Sequence, residues 1–302
     1  MVGMKVYYNI DLDNRKFEGR TQLAGQIREY LRKQGYSFTA NPAEAELIHF
    51  HSSGVFDSYR AYQLKKKYKV PVVYSLYSNS QTSLFGHPLN FAIQRLYFQK
   101  TATRFLPSYS AVLPLRWRGS FLQKLDQVIV PSEHLRKKLF QNTRTIYFGV
   151  DTEKYRSLER KNNNRKKIIK VAYFGHPGVF KGLNDFVTAS KQFGKDVETH
   201  IFLTQRFEKV DRYIQKHNPQ IIIHGFVEDV VKAYHEMDII VLPYRMEIGT
   251  VANPLVLLES MACGKAIITT DHDFVQEIVR DGAVIVRKNS PDSIAAAVQK
   301  LV

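Results

Sequence analysis

Residues 253–271 read NPLVLLESMACGKAIITTD. Asn253 is a favoured N-cap type, and Pro254 suits the first helical position, where its missing N–H costs nothing. The apolar run that follows predicts a helix ended by Gly264, and Ala266 to Thr270 predicts a β-branched strand. A helix that opens after a strand presents unpaired backbone N–H groups, here those of Leu255 and Val256, and the positive end of its dipole. Both suit a phosphate. Glu259 sits about a turn and a half along the helix, from where a carboxylate can reach nucleoside hydroxyls. The stretch therefore predicts a nucleotide-like ligand on an α/β unit.

Outward from this stretch, strand and helix patterns alternate through all 302 residues. That alternation argues for parallel sheets with helices on both faces. In the first half, strands are expected at 5–10, 47–51, 70–76, 127–131 and 145–150. Helices are expected at 21–33, 59–67, 89–103 and 133–140. Residues 151–168 are charged and Asn-rich and read as a linker. The second half restarts with a strand at 168–174 and continues the alternation to a last helix at 291–301. The expected architecture is two Rossmann-like doubly wound domains, 1–150 and 151–302, facing a cleft, with ligands at the carboxyl ends of strands.

Composition narrows the function. No apolar run reaches the ~18 residues of a membrane span. A single cysteine, Cys263, excludes an internal disulfide and suits a cytoplasmic setting; it reads as a small core residue. The net charge of +16 is uneven: residues 1–150 hold 22 Lys and Arg against 9 Asp and Glu, whereas residues 151–302 hold 22 against 19. No acidic residue lies between Asp57 and Asp126, an interval that carries Arg60, Lys65, Lys66, Lys67, Lys69, Arg95, Lys100, Arg104, Arg116, Arg118 and Lys124. Phe91, Tyr97, Phe98, Phe105, Tyr109, Trp117 and Phe121 interleave with them. An anionic membrane surface ranks first as their partner, a solvated basic face second and nucleic acid third.

Several further motifs are collinear. Residues 128–135 read VIVPSEHL, Gly149-Val150-Asp151 form a turn, and residues 175–182 read GHPGVFKG. Leu255 to Gly264, Thr270-Asp271, Glu277-Ile-Val279 and Asp281-Gly282 follow in order. From Val128 to Val302 this pattern resembles the retaining glycosyltransferases of the family 4 type, which have the two-domain GT-B architecture. The resemblance implies a nucleoside diphosphate sugar donor, a hexose transferred with retention, and no metal or other cofactor. Lys181 then becomes the cation on the diphosphate, helped by the N–H groups of Leu255 and Val256 at the helix opened by Asn253 and Pro254. Glu259 becomes the ribose acceptor. Gly19 takes the place of the second glycine of the family's phosphate-facing loop, while Glu18 stands where its partner glycine would be.

The departures are as informative. His176 stands where the family has arginine, so the grip on phosphate is expected to be weaker or shared with another group. Val251 stands where a sugar-facing glutamate is expected, with Glu247 four residues earlier as its substitute. Tyr77 replaces a histidine at a strand end, and His49 and His51 end a neighbouring strand. The family continues beyond the position of Val302, so this chain is expected to be either naturally short or truncated. The pairs Asp11/Asp13 and Asp271/Asp273 lack the context of a metal-binding motif, and none is expected. The resulting expectation is a hexosyltransferase acting on a membrane lipid or polyprenyl-linked acceptor at the inner face of the membrane. The alternatives are a non-catalytic nucleotide-sugar-binding scaffold, transfer to a nucleic acid, and an epimerase of the same architecture.

Overall fold

The computed structural model describes residues 3–9, 19–51, 56–77, 115–158, 168–177, 181–245, 247 and 253–302, with backbone alone at 19, 20, 22 and 115–117. The expected helix at 89–103, Asp11, Asp13, Glu18, Val251 and the aromatics from Phe91 to Tyr109 lie outside the described residues, as do Arg95, Lys100 and Arg104. The described residues form two compact units, one running to Tyr147 and the other starting at Phe148. Each is a doubly wound parallel sheet.

The first unit has six strands: β1 (Lys5–Tyr8), β2 (Ser37–Thr39), β3 (Leu47–His51), β4 (Val72–Ser75), β5 (Gln127–Val130) and β6 (Thr143–Thr145). Their order is β2-β1-β3-β4-β5-β6 and every pairing is parallel. The helices are α1 (Gly19–Lys33), α2 (Asp57–Tyr68), α3 (Leu115–Leu122) and α4 (Glu133–Arg136). The chain leaves β1 for β2 on one side and returns for β3 on the other, so the order reverses between β1 and β3. That is where such sheets bind ligands.

Three expectations change here. The last strand is Thr143–Thr145, not 145–150: Thr143 and Thr145 pair with Val128 and Val130 at the sheet's edge. The edge strand β2 was not expected at all. Short polar edge strands escape a search for apolar alternation because they bury little side chain. The helix capped by Ser132, whose hydroxyl accepts from the Leu135 N–H at 3.1 Å, ends at Arg136 rather than 140. Its continuation is a series of i→i+3 turns.

The second unit is β7 (Ile169–Gly175), β8 (Val197–Leu203), β9 (Ile222–His224), β10 (Ile239–Leu242), β11 (Ala266–Thr270) and β12 (Val284–Val286), ordered β12-β11-β10-β7-β8-β9. Its helices are α5 (Leu183–Ala189), α6 (Glu208–His217), α7 (Val230–Glu236), α8 (Leu255–Ala262), α9 (Asp273–Val279) and α10 (Pro291–Leu301). The central strands read as unbroken apolar runs because both faces are covered. Val171, Tyr173, Ile239 and Val241 enter one core; Ala172, Phe174, Ile240 and Leu242 enter the other. The order reverses between β7 and β10.

The start of the expected linker is part of this unit. Tyr155 is buried in the second core, and its N–H bonds the Asp151 carbonyl at 2.8 Å. Gly264, at φ 67°, meets Ser157 so closely that a Cβ there would lie 2.5 Å from the Ser157 Oγ.

Candidate active site

β7 and β10, between which the order reverses, lead into most of the expected donor residues. β7 ends at Gly175, and the Tyr173 hydroxyl donates to the His176 carbonyl at 2.8 Å, fixing the turn out of the sheet. Lys181 and Gly182 open α5. Gly182 has φ 74°, and a Cβ on it would fall 1.8 Å from the Pro243 carbonyl oxygen. Only glycine allows that approach, which locks the Lys-Gly pair onto the exit of β10. The Lys181 Nζ lies 5.0 Å from the Tyr244 ring centroid, a cation–π distance. Burial lowers the Lys181 ammonium to about 8. Burial first, and the Lys181 charge second, lower the His176 imidazole to about 4. His176 is therefore neutral at pH 7.

The exit of β10 is held from the other side as well. The Tyr244 carbonyl accepts from the Thr270 hydroxyl at 2.6 Å and lies 2.9 Å from the His272 Nε2. The Thr269 hydroxyl donates to the Leu242 carbonyl at 2.9 Å. Glu247 is near enough to His272 for its charge to act on the imidazole, so it belongs to this end of the sheet. Arg245, which sequence reasoning passed over, forms a two-pronged pair with Asp185 in the first turn of α5. Nε donates to Oδ2 at 2.6 Å and Nη2 to Oδ1 at 2.5 Å. Its signal in the sequence was its place two residues past Pro243, at the end of a central strand.

The opening of α8 differs by one residue from expectation. Pro254, not Asn253, occupies the cap, with no side-chain cap bond, and the helix runs from Leu255. Proline cannot donate, so the cap position suits it as the first turn would. Leu257 makes the first backbone bond, to the Pro254 carbonyl at 3.0 Å. The N–H groups of Leu255 and Val256 thus precede the helical ladder. Asn253 is buried. Glu259 is half-buried, and its Oε2 accepts from the Tyr234 hydroxyl at 2.8 Å. Burial raises its pKa, while hydrogen bonds from Tyr234 and Tyr155 and the nearby Lys154 charge oppose that rise. Cys263 is buried at the end of α8, as expected.

Gly19 belongs to the other unit, where it is the first residue of α1 rather than part of a preceding loop. There the reversal between β1 and β3 holds a cluster of uncharged groups. His49 Nε2 lies 2.8 Å from the Ser75 hydroxyl, and His51 Nδ1 bonds the Tyr77 hydroxyl. The two imidazoles are 4.2 Å apart, and Tyr8 packs edge-on to both. Burial lowers His49 to about 4 and holds His51 well below its ordinary value. Asn9 exchanges two bonds with the His51 backbone, at 2.6 and 3.0 Å. Among the described residues no group of three or more His, Cys, Asp or Glu could hold a metal.

The basic interval is partly structural. Arg118 is buried, and Lys65 pairs with Asp126 at 2.8 Å. Lys66, Lys67, Lys69 and Lys124 are exposed, and Lys66 and Lys124 both approach the Tyr62 ring. Phe56 and Tyr59, at the start of α2, are exposed, 55% and 41% respectively. No helix among the described residues is long and apolar enough to cross a membrane.

Comparison with known proteins bears on the family and the fold. The model for Glycosyltransferase Family 4 matches residues 7–154, and that for Glycosyl transferases group 1 matches residues 165–302. An uncharacterized glycosyltransferase of Methanocaldococcus jannaschii is 25% identical over 199 residues, covering 60% of this chain and 50% of its own length. The chain thus spans about half the length of that curated relative. HepE of Anabaena, solved with UDP and glucose, superposes with TM-score 0.70 at 13% identity, covering 98% of this chain and 89% of that one. The apo lipopolysaccharide outer core galactosyltransferase WaaB superposes with TM-score 0.59 at 11% identity, covering 99% and 90%. At those identities the likeness is one of fold. With one family model on each half and the paired parallel sheets of the GT-B fold, the chain belongs to the family 4-type glycosyltransferases.

Proposed function

We propose that the chain transfers a hexose, with retention, from a nucleoside diphosphate sugar to a membrane lipid or polyprenyl-linked acceptor, without a metal. The observation that carries the donor half is the contact of Gly182 with the Pro243 carbonyl. It sets the Lys181 ammonium at a strand end beside Tyr244, where fixed cations and helix N–H groups stabilise a leaving diphosphate. Glu259 accepts the ribose hydroxyls and Glu247 takes the sugar-facing role that Val251 cannot. With no protein nucleophile assigned, the acceptor hydroxyl attacks on the face the diphosphate leaves, and the diphosphate oxygen draws off its proton. HepE, solved with UDP and glucose, supports a UDP-type donor.

The membrane half rests on the exposed lysines of α2 with Phe56, Tyr59 and Lys124. Each Lys near anionic headgroups contributes about 1 kcal/mol, and the WaaB likeness supports a lipid-linked acceptor. The protein would act as a peripheral enzyme on the cytoplasmic face. Val251 favours a second reading, a donor-binding scaffold that transfers nothing.

One experiment separates these readings. The purified chain is screened by thermal shift against UDP-, GDP- and ADP-sugars, and the stabilising donor is then incubated with a lipid extract. Stabilisation and a new glycolipid support the proposal. Stabilisation without product or donor hydrolysis leaves the scaffold, and no stabilisation by any donor overturns both. Binding to anionic vesicles should weaken with added salt; absence of binding at low ionic strength removes the membrane half.

A further inference from the structure

The donor site as read so far is short of charge. A nucleoside diphosphate carries more than one negative charge, and more develops as the sugar leaves. Lys181 supplies one cation and titrates near 8, and His176 is neutral at pH 7. We propose that Arg245 is the second cation of the diphosphate subsite. This rests on the nucleotide-sugar reading of that site.

Three observations carry the assignment. First, position: Arg245 lies two residues beyond Pro243, the residue on which Gly182 packs, and next to Tyr244, over which the Lys181 ammonium sits. The two cations therefore flank one strand exit at the point where the sheet order reverses. Second, orientation: Asp185 grips the guanidinium through two nitrogens. That fork fixes its plane and lowers the entropy lost when it meets a ligand. Third, polarity: the Asp185 side chain is 3% exposed and that of Arg245 is 23% exposed. The carboxylate is the more deeply sunk of the two, and the arginine side chain is the one that keeps some access to solvent.

The test compares nucleoside diphosphates with their nucleosides, because only the diphosphates engage this subsite. Calorimetric titrations with UDP, GDP, ADP and the corresponding nucleosides first establish which base the full-length chain prefers. Failure of every diphosphate to bind the wild type sinks the donor reading and the inference with it. Given binding, Arg245→Gln combined with Asp185→Asn removes both charges and leaves an amide pair, without stranding a buried carboxylate. This double variant should lose about tenfold or more in diphosphate affinity while nucleoside affinity and melting temperature hold. Asp185→Asn alone keeps the cation and should lose less than about threefold. Unchanged diphosphate affinity in the folded double variant overturns the assignment. So do equal losses in the two variants, since the pair would then be acting only as a brace.

Discussion

The carboxyl ends of the two sheets share a topology and oppose each other in chemistry. In the second unit the order reversal gathers ions: Lys181, the Arg245–Asp185 pair, and Glu259 under two tyrosines. In the first it gathers neutral groups: two buried imidazoles, Tyr8, Tyr77, Ser75 and Asn9. A diphosphate needs fixed charge, whereas hydroxyl groups need donors and acceptors without it. The fold supplies the two places and the side chains decide what each can hold.

If the charged end works as read, Lys181→Ala should have the largest effect. Loss of one preorganised charge at a leaving group costs about 10²-fold or more in kcat, and the melting temperature should hold because the ammonium forms no ion pair with a carboxylate among the described residues. The same group sets a pH limit. Its pKa is lowered, so the cation is present below about pH 8 and lost above it. The free-enzyme profile of kcat/KM for the donor should fall above pH 8. A flat profile to pH 9.5 would place the essential charge elsewhere.

Next in size is Gly182→Ala, which tests whether the charged end depends on one close approach. A methyl group would have to displace the Pro243 carbonyl and accept a left-handed backbone. A drop of more than about 5 °C in melting temperature is expected, with weaker donor binding. Normal stability with normal binding would show that the loop and strand exit are not coupled.

A milder change sharpens the role of Glu259. Tyr234→Phe removes one donor from a half-buried carboxylate, worth about 1 kcal/mol, or roughly fivefold in donor KM. The carboxyl pKa, already raised by burial, should rise further. Donor affinity should then begin to fall at a higher pH on acidification than in the wild type. A matching loss for the 2′,3′-dideoxyribose form of the nucleotide would break the assignment to ribose.

Much of this contrast was legible in the sequence, and where it was not the reasons are physical. The unbroken apolar run at Ile239–Leu242 announced a central strand because both its faces are buried. Lys181 and Gly182 stood out because residues 175–182 resemble the family's glycine loop with its following Lys-Gly pair. Arg245 did not, because a place just past a strand end is shared by many surface arginines and its carboxylate partner lies 60 residues away. The Pro254 cap was misplaced by one residue because proline fits either position equally well. His49 and His51 were visible as strand-end residues, but their neutrality comes from burial by neighbouring strands, which a single chain segment does not reveal.

That neutrality yields the smallest prediction and the one specific to the first unit. His49 titrates near 4 and His51 lies well below its ordinary value, both through burial. A histidine depressed in the folded state binds its proton more readily in the unfolded chain. Stability is therefore intact above about pH 6.5 and lost as pH falls through that value toward 4, by roughly 3 kcal/mol for His49 alone. His49→Gln keeps a nitrogen near the Ser75 hydroxyl, and His51→Asn keeps an acceptor toward Tyr77, yet neither titrates. The double variant should start somewhat less stable at pH 7 and lose less on acidification, as read from urea midpoints between pH 7 and 4.5. An acid slope equal to that of the wild type would mean that the imidazoles are already solvated, and the two sheet ends would then differ less than their chemistry suggests.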